Sequence, residues 1–122
     1  MIKNLSKTNE NLAVFEVSGS ISKEDYERVI FPVLEELHAQ NDKLNMVYIM
    51  DAKISDYSFG AMWEDALVGM KYFSKWHRVA LVSDNSNLNK TVDFLSKLLP
   101  GKFKGFAKSD QEEAIHWAKR QD

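Results

Sequence analysis

Apolar residues along this chain change their spacing between two and three-to-four several times, and each change marks an element. Over Asn11–Gly19 they alternate, with Leu12, Val14 or Phe15, and Val17 apolar and Gly19 closing the run. A period of two is that of a strand. Ile2 to Ser6 reads as a shorter strand, and Thr8-Asn9-Glu10-Asn11 supplies a polar turn between the two, so they pair as an antiparallel edge hairpin. Ser22-Lys23-Glu24-Asp25 places a hydroxyl ahead of acidic residues, which is the chemistry of a helix start. Tyr26, Val29, Ile30, Val33, Leu34 and Leu37 recur three and four apart and give this helix one core face. Pro32 falls inside the pattern, removes one backbone donor and predicts a bend near Arg28.

Leu44 to Met50 is apolar with almost no alternation, as expected of a strand covered on both faces. His77 to Ser83 has the same character, so the two are expected side by side at the centre of the sheet. A polar loop after Asp51 and a helix from Phe59 to Trp76 separate them. A further helix spans Ser86 to Leu99 on a stripe of Leu88, Val92, Leu95 and Leu99, and stops before Pro100-Gly101. Lys102 to Ala107 is a last short strand. Ser109 with Glu112 forms a capping box for a closing helix that carries Ala114, Ile115, Trp117 and Ala118. The order β-β-α-β-α-β-α-β-α predicts an α/β fold over residues 1–122 as a single domain. Its sheet is mostly parallel, with an antiparallel N-terminal edge hairpin and about four helices.

Composition narrows the function classes. A chain of 122 residues buries roughly two-thirds of the surface it exposes unfolded, and its 44% hydrophobic and 28% charged residues are ordinary globular values. No apolar run approaches the roughly 20 residues of a spanning helix, so the chain is expected to be soluble. There is no cysteine, which excludes disulfides, thiolate chemistry and sulfur-ligated metals. The amino terminus carries no signal-like segment, which makes the cytoplasm the expected compartment. A net charge of -2 gives no general attraction to phosphates, so nucleic acid is not an expected partner and any anionic surface must be met by a local patch.

Several stretches together resemble a known family. Gly19-Ser20-Ile21-Ser22-Lys23-Glu24-Asp25-Tyr26, Pro32 in the first helix, Met62-Trp63-Glu64-Asp65, Arg78-Val79-Ala80-Leu81-Val82 and Glu113-Ala114-Ile115-His116-Trp117 make the chain similar to the stand-alone bacterial SpoIIAA-like proteins over nearly its whole length. That family resembles the STAS domain in fold, a class that includes anti-sigma factor antagonists, and its architecture looks related to CRAL-TRIO lipid-carrying domains. The resemblance implies a small non-enzymatic module that binds a nonpolar ligand or a membrane surface, with no cofactor. It also makes a homodimer plausible. The antagonists carry a phosphorylatable serine in an Asp-Ser-Ser-Gly-like turn, and the comparable place here reads Asp56-Tyr57-Ser58-Phe59-Gly60. Ser58 matches this loosely, so it stands either as a phosphosite or as a helix cap.

Ligands of open α/β sheets sit beyond the carboxyl ends of the strands, which points to the segment after Met50. Tyr57, Phe59, Met62, Trp63, Leu67, Met70 and Phe73 are the expected ligand-binding residues, with Ala66 on the same face. Tyr72 and Trp76 fall off its centre, leaving more apolar surface than one helix face needs. Gly60 and Gly69 each weaken a helix by about 1 kcal/mol, and Met side chains suit an adaptable pocket as well as an ordinary core. In the next helix Lys90, Phe94 and Lys97 are spaced i, i+4 and i+7, and Lys102 and Lys104 follow. Lys71, Lys75 and Arg78 are expected to add to that basic surface. It reads either as a peripheral contact with anionic lipid at the inner membrane face or as a solvated face with one exposed aromatic. His38, His77 and His116 stand on separate elements without metal spacing, and no nucleophile, base and oxyanion set is present, so no catalytic residue is assigned.

Overall fold

The computed structural model describes residues 1–7, 10–19, 23–50, 74–97 and 100–120. Five strands stand in the order β1-β2-β3-β4-β5: β1 Ile2–Asn4, β2 Ala13–Val17, β3 Leu44–Met50, β4 Trp76–Val82 and β5 Lys102–Phe106. β1 runs antiparallel to β2 and every other pair is parallel. β3 is therefore the middle strand, with β2 and β4 beside it, as its lack of alternation predicts.

β3 is buried at every position because its alternate side chains enter two different cores. Leu44, Met46, Tyr48 and Met50 join one, and Val47 and Ile49 join the other. β2 divides in the same way, with Ala13, Phe15 and Val17 on the first side and Val14 on the second. Its sequence alternates less strictly than a half-solvated strand would for this reason.

The first core is covered by the helix α1, made of Lys23–Asp25, a π turn Tyr26–Ile30 and the α-helix Phe31–Gln40. Ile30 and Leu34 are its fully buried contacts, and Val29, Phe31, Val33 and Leu37 pack around them. The π turn explains the bend expected at Pro32. Proline offers no N–H to the carbonyl of Arg28 and its ring would collide with it, and a widened turn moves that carbonyl out of the way. The second core is covered by α3, Gln111–Lys119, whose buried Ala114 and Ala118 lie one turn apart and let the helix sit close to β3 and β4.

Helix α2, Ser86–Leu95, buries Val92 in the first core and also closes the outer edge of β5. Ser96 Oγ accepts from Phe103 N at 3.0 Å and Asp93 Oδ1 accepts from Gly105 N at 2.8 Å, so side chains take the place of a sixth strand. The approach is close: a Cβ on Gly105 would lie 2.7 Å from Asn89 Cα.

Two expectations are corrected here. Trp76 does not close a helix; it opens β4, pairs with Leu44 and is buried, because its ring completes the first core. Ser109 and Glu112 form no capping box. A 3-10 turn Lys108–Asp110 leads into α3, with Asp110 N donating to Ala107 O, and the N-cap Asp110 makes no side-chain cap bond. Three helices occur among the described residues, and the expected helix from Phe59 lies outside them. No helix among the described residues is long and apolar enough to cross a membrane.

Candidate functional site

β3 and β4 end at Met50 and Val82, both buried, and the region beyond their carboxyl ends is where a sheet of this kind is expected to bind a ligand. Its described wall is the connection from β4 to α2, an Asp- and Asn-rich stretch. Ser83 is buried and its N–H donates to Phe106 O at 2.9 Å, which ties the ends of β4 and β5 together. Asn85 N donates to Ser83 Oγ at 3.0 Å, and Asn87 N donates to Asn85 Oδ1, which caps α2. Asn89 Nδ2 reaches back to Ser83 O at 2.8 Å, and Lys108 N donates to Asp84 Oδ1 at 3.1 Å. This polar segment is a fixed wall, because its amides are tied to its own side chains. Tyr57, Ser58, Phe59, Met62, Trp63, Leu67, Met70 and Phe73, the residues that the sequence places there, lie outside the described residues.

The basic surface is described, and it differs from expectation in one respect. Lys90, Lys97, Lys102 and Lys104 are exposed and Phe94 is 57% exposed, a large value for an aromatic. Lys97 stands just past the last turn of α2, where its N–H donates to Phe94 O at 3.0 Å. Arg78 does not join them. It is 2% exposed, with Nη1 donating to Trp117 O at 3.2 Å and its guanidinium 4.9 Å from the centre of the Trp117 ring. The cation is drawn inward because the C-terminal carbonyls of α3 and an aromatic face both favour positive charge.

Arg78 belongs to a polar network that sequence reading misses. Asn45 is fully buried in the middle strand. Its Oδ1 accepts from Arg78 N at 3.2 Å and meets His77 Nδ1 at 2.9 Å, while its Nδ2 donates to Asn11 O at 3.1 Å. An amide oxygen facing Nδ1 requires the His77 proton on Nδ1. The one available signal was a polar residue inside an otherwise apolar strand.

A concavity of about 510 Å³ lies at the other end of the sheet, before β2 and β3. Asn4, Lys7, Glu10, Asn11, Glu36 and Gln40 line it, on the β1–β2 connection and the last turns of α1. Glu10 is held by Lys119 of α3 at 3.2 Å. The described residues contain no group of three or more His, Asp or Glu that could hold a metal ion. His38, His77 and His116 lie on α1, β4 and α3 respectively.

A mixed sheet of this order, with helices on both faces, makes the chain an α/β module. The SpoIIAA-like family matches residues 12–119, and the chain belongs to that family. A crystal structure of an uncharacterised DUF3478-family protein with a SpoIIAA-like fold, from Shewanella loihica PV-4, is similar over 97% of this chain and 92% of its own, at 23% identity and a TM-score of 0.69. That likeness is one of fold. No curated protein matches the chain.

Proposed function

We propose that this chain is a non-catalytic binding module that holds a nonpolar or amphipathic, lipid-like small molecule beyond the carboxyl ends of β3 and β4 and attaches weakly to a membrane. Tyr57, Phe59, Met62, Trp63, Leu67, Met70 and Phe73 supply the apolar side of the site. The observation that carries the attachment is Phe94, 57% exposed on α2 one turn after the exposed Lys90. The fixed Ser83–Asn89 wall supports the ligand reading, because a rigid rim beside an apolar segment loses little freedom when a ligand binds.

Thermal unfolding with palmitate as the probe tests it. A ligand at tenfold its Kd stabilises by about 1.4 kcal/mol, or roughly 5 °C for a chain of this size. The expected result is a rise of that order for the parent protein and its loss in Trp63→Ala or Met70→Ala. Equal rises in both variants would remove the pocket from this reading.

A further inference from the structure

We propose that the concavity before β2 and β3 binds a free basic amino acid, a small zwitterion with a cationic side chain, and that arginine is the side chain it matches best. This site lies at the other end of the sheet from the lipid-like ligand proposed above and does not depend on it.

Two walls form the concavity. The connection from β1 to β2 supplies Lys7, Glu10 and Asn11, and the end of α1 supplies Glu36, Gln40 and Asn41. About 510 Å³ lies between them, within the roughly 300–1,000 Å³ that small-molecule sites occupy. The polar groups of both walls are left over from folding. Lys7 and Glu36 are exposed, stand on different walls with opposite charges, and make no ion pair with each other or with any other described residue. Asn41 Nδ2 donates to Leu37 O at 3.0 Å, so its side-chain oxygen is the end that remains. Glu10 is paired with Lys119 through Oε1 at 3.2 Å, which leaves Oε2 as an acceptor. Asn11 likewise spends its amide nitrogen on Lys43 O at 3.2 Å, while its Oδ1 is closed off from solvent and accepts no bond. The partial charge of that oxygen adds to the negative potential of the inner wall.

The lining sets the charge of the occupant. It holds one cation, Lys7, against two carboxylates, Glu10 and Glu36. α1 ends here with Asn41 as its C-cap, and the carbonyls of a helix C-terminus carry partial negative charge. Five acids against two bases between Lys23 and Gln40 make α1 an acidic helix as a whole. A simple anion is therefore repelled, and a simple amine leaves Lys7 without a partner. A ligand with one carboxylate and two cationic groups mirrors the set. Its carboxylate meets Lys7, its α-ammonium meets Glu36, and its side-chain cation meets Glu10 and the Asn41 oxygen. Guanidinium suits the last place because its planar fork of donors serves a carboxylate oxygen and an amide oxygen together. Val33 and Leu37, half-buried in the same lining, offer the methylene stem an apolar strip.

An amide NMR shift titration with L-arginine tests the site. The expected result is binding with a Kd on the order of 1 mM or tighter, read as shifts at Glu10, Asn11 and Asn41 and none at Ser83 and Asn85. Agmatine, which lacks the carboxylate, and the guanidino acid that lacks the α-ammonium should each bind about fivefold more weakly. Lys7→Met should erase the preference for arginine over agmatine, and Glu36→Gln the preference over the guanidino acid. Thermal unfolding of both variants should match the parent, because both side chains are exposed and unpaired. General attraction of cations to an acidic surface would instead make agmatine, with no carboxylate, the tighter ligand. No shift at arginine on the order of 10 mM, agmatine binding as tightly as arginine to the parent, preferences that survive in both variants, or shifts confined to residues outside this lining each overturn the proposal.

Discussion

Asn45 has its side-chain oxygen and nitrogen committed to three partners on two segments: Asn11 ahead of β2, and His77 and Arg78 in β4. Replacing it by leucine would strand a backbone N–H, an imidazole N–H and a carbonyl inside the sheet. Buried unpaired groups cost about 1–3 kcal/mol each, so Asn45→Leu is expected to lower stability by about 3 kcal/mol in urea unfolding. A loss under ~0.5 kcal/mol would show that the network contributes nothing. Gly105 makes a second demand at the residue scale, because a Cβ there meets the backbone of Asn89, which no side-chain rotation relieves. Gly105→Ala should cost about 2 kcal/mol, with the largest rise in amide exchange at the contact of α2 with β5. Neither requirement was legible in the sequence. Asn45 and Gly105 are ordinary residue types whose roles come from neighbours 30 or more and 16 positions away, and local pattern carries no such information. Arg78 failed for the same reason: it is grouped with the lysines by charge, yet Trp117 on a distant helix draws it inside.

Elements were read more successfully because their signals are local. The unalternating runs at Leu44–Met50 and in the strand ending at Val82 are paired at the centre, and the N-terminal hairpin forms an antiparallel edge. Misreadings cluster at element ends. Trp76 continues the apolar pattern of the segment before it, and only its pairing with Leu44 shows that a strand has begun. The Ser109–Glu112 spacing fits a capping box, but the 3-10 turn brings the chain into α3 by another route. The expected ligand-binding residues between Tyr57 and Phe73 lie outside the described residues. The edge of β5 provides an element-scale prediction. Asp93→Ala and Ser96→Ala each remove one acceptor from an edge amide. Each should lower stability by about 1 kcal/mol and speed hydrogen exchange at Gly105 and Phe103 respectively, without change in β3. Faster exchange across the whole sheet would contradict a local edge-closing role.

At the scale of the whole molecule, a sheet covered on both faces leaves its strand ends and edges for function. One edge carries exposed lysines and an exposed phenylalanine, one end carries a polar segment tied by its own side chains, and the acidic helix lies over the first core. The charge asymmetry was already present in the sequence, but its arrangement in space required the packing of α2 against β5. Native mass spectrometry of freshly purified protein tests the central claim most directly. The account predicts a co-purifying, organic-extractable adduct of lipid mass that is depleted in Trp63→Ala and Met70→Ala. A bare chain mass, unchanged after incubation with palmitate, would contradict it.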